Sequence, residues 1–258
     1  MEASFVILAG LILIAGSMLQ GAVGFGFGMF AIPLIMLLGA ESYQAIAILS
    51  ICGSVQTISG VISLRKHIHW CQVAWVTAIS CAILPLGVIT QAAIVDIGRD
   101  QVRQVFGGLI LAALILQQAW RIRPREHLHL GWGVLAAVLC GFMAGLAGMG
   151  GPALVMWVMA HTWTNERSRV TLWSVFLGLT PIQLIFLFHQ FGDAVVPAMG
   201  SALVLAPITL LGVYPGIWLG NRIPRATLRH LAFGALAAIS TWLIISPLVR
   251  SLFTGDSM

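Results

Sequence analysis

The sequence predicts an all-α fold: a polytopic helical membrane protein of two inverted-topology repeats, each carrying a glycine-rich broken-helix hairpin. Three observations lead there. The chain has 258 residues, of which 59% are hydrophobic and 8% charged, with a mean hydropathy of +1.00. That is more apolar surface than one soluble core can hide, so the solvent is lipid. The apolar runs are long and lack strand-like alternation, and in hydrocarbon the backbone must pair within the chain, which selects helices. Finally, a glycine pattern recurs when the sequence is slid against itself by 124 positions.

Charges and turn residues divide the chain into ten apolar segments, approximately 3–20, 25–40, 43–64, 70–95, 102–120, 130–144, 152–163, 170–188, 194–220 and 230–249. The start, Met1-Glu2-Ala3-Ser4, lacks the basic region of a secretory signal, so the first segment is read as a retained helix. A full span takes about 20 residues. The pairs at 3–40 and 130–163 are too short for two upright spans each. Both are expected to be hairpins or re-entrant elements whose turns lie within or near the membrane.

The repeat places Gly21, Gly24 and Gly26 over Gly145, Gly148 and Gly150, and Ser50 over Ser174. Later the shift becomes 126, setting Val102-Arg103 and Gly108 over Leu228-Arg229 and Gly234. The halves are therefore drawn at 1–125 and 126–258. With five elements in each, one side receives Arg65, Lys66, Arg121, Arg123, Arg125, Arg167, Arg169, Arg222, Arg225 and Arg229, and the other only Arg99, Arg103 and Arg250. Basic residues accumulate on the cytoplasmic side of spans. An odd number of elements per half makes the second half enter upside down, the inverted-repeat plan of many secondary transporters. Glu41, Asp96, Asp100 and Asp193 then lie opposite the basic side, and Trp70, Trp120, Trp132 and Trp163 fall at cytoplasmic borders. The expected location is the cell (inner) membrane.

The glycine clusters are the first candidate site. Gly24, Gly26 and Gly28, and Gly148, Gly150 and Gly151, allow positive φ and close approach. Pro152 suits the first turn of the helix that follows. Each cluster ends where a helix begins, and helix starts expose unpaired N–H groups with partial positive charge, which suits an anion. Tight helix packing is the bland alternative. Polar residues inside spans are the second candidate set: Ser50, Ser54, Gln56 and Thr57 on one helix, and Ser174, Thr180 and Gln183 on its repeat-equivalent. At helical spacing Ser50, Ser54 and Thr57 share a face that offers hydroxyls to an anion's oxygens or, equally, to a neighbouring helix. The substrate-binding set is these glycines with Ser50, Ser54, Thr57, Ser174, Thr180 and Gln183.

Ionisable residues are nearly absent from the deep segments. Glu41, His161, Glu166, His189 and Asp193 all sit at predicted ends, which leaves the coupling ion unassigned. Arg167 and Arg169 begin a helix near the second glycine cluster, as orientation signals or as attractors of anions. Two His-x-His pairs, His67/His69 and His127/His129, lie in predicted loops without further metal ligands. Cys52, Cys71, Cys81 and Cys140 form no metal-ligand spacing and read as unpaired packing thiols. No nucleophile elbow, P-loop or HExxH motif is present. Neither an enzyme nor a cofactor is expected.

At the glycine motifs, Gly-Ala-Val-Gly-Phe-Gly-Phe-Gly at 21–28 and Gly-Leu-Ala-Gly-Met-Gly-Gly-Pro at 145–152, the chain resembles the TauE/SafE family of sulfite exporters and sulfonate permeases. The closing segment Gly216-Ile-Trp-Leu-Gly-Asn-Arg222, with Leu228-Arg229 and Gly234, is similar as well. The first copy departs from the family pattern at Phe27, and the second at Pro152. The resemblance implies a permease or exporter of sulfur oxyanions such as sulfite or organosulfonates. Alternating access, with the anion held at helix N-termini, is the leading mechanism. Against it stand a metal or other cation permease, suggested by the histidine pairs and membrane methionines, and a non-transporting membrane assembly factor. The expected partners are a small anionic substrate and membrane lipid, with a homo-oligomer left open and nucleic acid excluded.

Overall fold

The computed structural model describes residues 3–119, 128–223 and 225–254. Trp120, Arg121, Arg123, Arg125 and His127 lie outside the described residues, as do the side chains of Arg225, Arg229 and Arg250. Among the described residues the chain is all-helical: α1 (Ala3–Val23), α2 (Phe27–Leu37), α3 (Ser42–Leu64), α4 (Trp70–Val95), α5 (Arg99–Ala119), α6 (Leu130–Ala147), α7 (Gly151–Met159), α8 (Asn165–Phe191), α9 (Val196–Arg222) and α10 (Arg225–Thr254). Short 3-10 turns at Arg65–His67 and Gly192–Val195 lead into α4 and α9.

One helix stands for each apolar segment. The borders shift outward at three arginines: Arg99 lies inside α5, and Arg167 and Arg169 inside α8, while Arg103 falls within α5 as its segment predicts. Long side chains explain this. Arg103 reaches back to donate to the Met36 carbonyl at the end of α2, 3.0 Å away, while Thr164 caps α8 by accepting from the Arg167 N–H.

Six stretches among the described residues are long and apolar enough to cross a membrane: Ser4–Val23, Ser42–His67, Trp70–Val95, Leu130–Ala147, Asn165–Gly220 and His230–Pro247. The chain is a membrane protein. By contrast α2 and α7 have 11 and 9 residues. At about 1.5 Å per residue they reach roughly halfway through a hydrocarbon layer of about 30 Å.

Close helix pairing sets the frame. α1 runs along α9, and α6 along α4. A side chain on Gly212 or Gly216 of α9 would strike the Ile14 or Met18 carbonyl of α1, and one on Gly141 or Gly145 of α6 would strike the Ser80 or Leu84 carbonyl of α4. Small residues give these pairs the backbone approach from which lipid-embedded helices gain packing energy. α3 crosses α8 and also packs on α9, while α5 pairs with α10. Large apolar side chains such as Leu203, Leu211 and Ile7 remain exposed on the outer faces, as a lipid solvent permits.

The two ends of the bundle differ in chemistry. At one, Arg99 pairs with Glu41, Gln91 donates to Ser42 and Tyr43 stacks on Phe191. At the other, Arg167 donates to Gln72, Arg169 donates to the Ala22 carbonyl, and Arg222 lies over the Trp218 ring.

Candidate functional site

The connection between α1 and α2 is made by glycine conformation. Gly24 and Gly26 hold φ of 94° and 100°, left-handed values that cost an L-residue with a Cβ roughly 1–2 kcal/mol. The Gly24 N–H donates to the Gln20 carbonyl at 2.7 Å, closing α1, and the Phe30 N–H donates to Gly26, opening α2. Phe27, Gly28 and Met29 therefore have amide hydrogens with no acceptor inside α2.

The α6–α7 connection follows the same plan with one change. Gly148, at φ 65°, donates to the Ala144 carbonyl at 2.8 Å, the counterpart of the bond between Gly24 and Gln20. Gly150, however, has an ordinary φ of −63°. Its glycine is required by space, since a Cβ there would sit 2.8 Å from the Cys140 carbonyl. Pro152 in the first turn of α7 lacks an N–H, which leaves Gly151 and Ala153 as the unpaired donors.

The two turns meet. A Cβ on Gly28 would lie 2.8 Å from the Gly148 carbonyl, so the first turn of α2 rests on the second glycine turn. Beside this contact lies a cavity of about 110 Å³, against the ~10–15 Å³ that one water requires. Of the twelve residues in the substrate-binding set, nine line it: Gly26, Gly28, Ser50 and Thr57 from the first half, and Gly148, Gly150, Gly151, Thr180 and Gln183 from the second, closed around by Phe25, Phe27, Met29, Met149 and Phe176. Among the described residues no lining residue is Asp, Glu, Lys, Arg or His. Gly24 lies outside, against the Arg169 side chain. Ser54 and Ser174 are also absent from the wall, and the Ser174 hydroxyl is buried without a partner.

The hydroxyls of the wall are already engaged. Ser50 Oγ donates to the Ile46 carbonyl at 2.8 Å, with Gln183 Oε1 as a second acceptor. Thr57 Oγ1 donates to Gly53 at 2.7 Å and Thr180 Oγ1 to Phe176 at 3.0 Å. Outside the wall, Ser54 Oγ does the same to Ser50. A hydroxyl has one hydrogen, so these side chains turn acceptor lone pairs, not donors, toward the cavity. Gln183 is likewise tied, its Nε2 donating to the Ala144 carbonyl at 2.7 Å. The exception is Gln20, a wall residue whose Oε1 accepts from Gln56 Nε2. Spacing within one segment did not point to it. The available signal was an amide set in the last turn of an apolar helix, directly before the glycine cluster.

Around the cavity the first turn is held by α8, where the Trp173 indole donates to the Gly24 carbonyl at 3.2 Å. Past the end of α7, His161 lies outside the spans, stacked on Trp163 and edge-on to Trp157, with Arg167 over the other aromatic partner, 4.3 Å from the Trp163 centroid. Burial holds the His161 pKa below its ordinary value; the bond at the Trp157 carbonyl opposes the shift and the Arg167 charge adds to it. Of the histidine pairs, His129 accepts from the Gly131 N–H at the start of α6. Among the described residues no three His, Cys, Asp or Glu side chains gather into a group that could hold a metal.

A family model described as Sulfite exporter TauE/SafE matches residues 8–243. No curated protein and no solved structure matches the chain.

Proposed function

This chain belongs to the TauE/SafE sulfite exporter family, and from that premise we propose that it carries a small, singly charged oxyanion, such as bisulfite or a short organosulfonate, bound in the central cavity. The observation that carries the reading is that the first turns of α2 and α7 open on one cavity whose wall has no ionisable side chain. Each helix start contributes roughly half an elementary charge. Two together approximate the single positive charge that balances a monoanion, and a dianion would keep an unbalanced charge in a low-dielectric site.

The transport cycle in this reading is alternating access between inverted halves, residues 1–125 and 126–258, each with a glycine-turn hairpin. The packing pattern supports it. Exchanging the halves turns the α1–α9 pair into α6–α4, and the contact between α3 and α8, like that between α5 and α10, maps onto itself. Arg167, Arg169 and Arg222 share one end of the bundle, which by the positive-inside rule faces the cytoplasm of a cell (inner) membrane. The tips of both hairpins meet at Gly28 and Gly148. A small relative movement there would change which side the cavity faces.

Purified protein in liposomes tests this directly. Sulfite and methanesulfonate flux is expected to exceed sulfate flux at matched concentration and pH, with no flux of divalent manganese or zinc. Metal flux without oxyanion flux, or sulfate as the preferred substrate, would overturn the proposal.

A further inference from the structure

The cavity wall contains two side chains with N–H donors, Gln20 and Gln183. They are not equivalent. Gln183 is tied at both ends of its amide, donating to the Ala144 carbonyl and accepting from Ser50. Gln20 is held at its oxygen alone, by Gln56 Nε2, and no protein acceptor for its own Nε2 exists among the described residues. Gln20 is 6% exposed and Gln56 4% exposed, so neither amide is open to bulk water. The fully buried atom of this pair without a partner is Gln56 Oε1; the Gln20 NH2 group keeps accessible surface at the cavity wall, where it can donate to what the cavity holds.

Gln20 is also built into the first turn. Its backbone carbonyl accepts the Gly24 N–H at 2.7 Å, so its side chain has a fixed origin at the cavity edge. The repeat places Ala144 at the matching position, where the same backbone bond is made without a polar side chain. The site is thus one-sided: both halves supply helix starts, and only the first supplies an unengaged amide.

We propose that Gln20 donates to the substrate oxyanion through its Nε2 and that Gln56, in contact with Gln20 and outside the cavity wall, is the positioning residue that directs that amide. The proposal rests on the anion reading above and names the side chain that selects the oxygen-bearing substrate. Gln56 takes the Gln20 oxygen, which leaves only the donor end of the amide for the cavity. The opposite orientation of the pair would bury the two donors of the Gln56 NH2 group where Gln56 Oε1 now lies without a partner, and would aim Gln20 Oε1 at the cavity. The wall hydroxyls present acceptors, so the other donors to the substrate are the backbone amides of the two turns.

Concentration-dependent flux of sulfite and methanesulfonate in liposomes reads this out for wild type, Gln20→Met, Gln20→Glu and Gln56→Met. Losing one hydrogen bond to a charged group is expected to raise KM on the order of tenfold in Gln20→Met, with a smaller change in maximal rate. Gln20→Glu, which brings a carboxylate to the site, is expected to lose flux, and Gln56→Met to raise KM by about threefold while the wall itself is unchanged. A role in packing alone would lower thermal stability and leave KM where it was. Wild-type flux together with an unchanged KM in Gln20→Met, or full flux in Gln20→Glu, overturns the role of Gln20. A wild-type protein inert toward every oxyanion overturns the anion reading first, and the two failures are distinguishable.

Discussion

The two glycine turns share a sequence pattern and one closing hydrogen bond, yet they use their glycines differently. In the first, Gly24 and Gly26 are both left-handed, and a Cβ at Gly26 would meet nothing nearer than Leu19 at 3.5 Å. Glycine is there for conformation. In the second, only Gly148 is left-handed, and Gly150 is needed because the Cys140 backbone leaves no room. The restraints differ as well: indole and guanidinium donors from α8 hold the carbonyls at 24 and 22, whereas Ile32 and Ile46 press on Gly148. Two turns of similar sequence are therefore held differently, one latched by polar side chains and the other packed among apolar ones.

The strongest way to break this comparison is at the place where the turns touch. Gly28→Ala puts a methyl 2.8 Å from the Gly148 carbonyl, and backbone on both sides resists displacement. An overpacking cost of about 1–3 kcal/mol is expected, seen as a lowered melting temperature in detergent and as loss of most substrate flux. The control change in the other turn, Gly151→Ala at the first position of α7, meets only Phe176 at 3.8 Å and removes a flexible glycine from a helix. Its stability is expected to stay within about 0.5–1 kcal/mol of wild type, on the favourable side. Equal melting temperatures for the two variants would show that the tips do not bear on each other as described.

A smaller effect tests the latch. Trp173→Phe removes the indole N–H from the Gly24 carbonyl, 3.2 Å away, for about 1 kcal/mol of lost hydrogen bonding. Hydrogen exchange is expected to quicken at residues 20–28 and to hold at residues 144–151. Equal acceleration in both segments would mean that the turns open together and that the latch is not specific to the first.

These differences mark how far the residues alone could speak. Each of the ten apolar segments corresponds to a helix among the described residues because hydrophobic runs and glycine turns are local signals, and stretches 3–40 and 130–163, each too short for two upright spans, already call for short elements. Arg103 shows what a local pattern leaves out: its segment places it at a helix start, and its guanidinium is satisfied by a carbonyl 67 positions away in sequence. Spacing puts Ser50 and Thr57 on one helix and Gln183 on another, but spacing says nothing about hydroxyl hydrogens or about which helices face each other. These turn back onto carbonyls four residues earlier, a competition every serine and threonine in an apolar helix faces. Gln20 was passed over because its meaning depends on Gln56, 36 positions away. The glycine motif declared that close approach was needed, and only the fold reveals that Gly28 and Gly148 approach each other.

The exits from the two turns carry the comparison to its smallest expected effect. α2 ends among ions: Arg103 takes the Met36 carbonyl, and Arg99 pairs with Glu41 nearby. α7 ends among rings, with His161 stacked on Trp163 at a centroid distance of 4.1 Å and Arg167 also over Trp163. Besides Arg167, the charged groups at that end include Glu166 and Arg169 on α8 and His67 before α4. Burial lowers the His161 pKa below the ordinary imidazole value, so the folded protein favours neutral imidazole. The unfolded chain takes up a proton first as pH falls. Stability from this site is therefore complete above about 6.5 and declines as pH drops through that value toward the lower folded pKa. Protonation would also set a second cation beside Arg167, weakening its hold on Gln72, which ties α8 to α4. Melting temperature measured from pH 7.5 to 5 is expected to fall by a few degrees more in wild type than in His161→Phe, which keeps the ring stack and cannot charge. Identical slopes for the two proteins would remove His161 as the titrating group and leave the aromatic exit no more sensitive to pH than the ionic one.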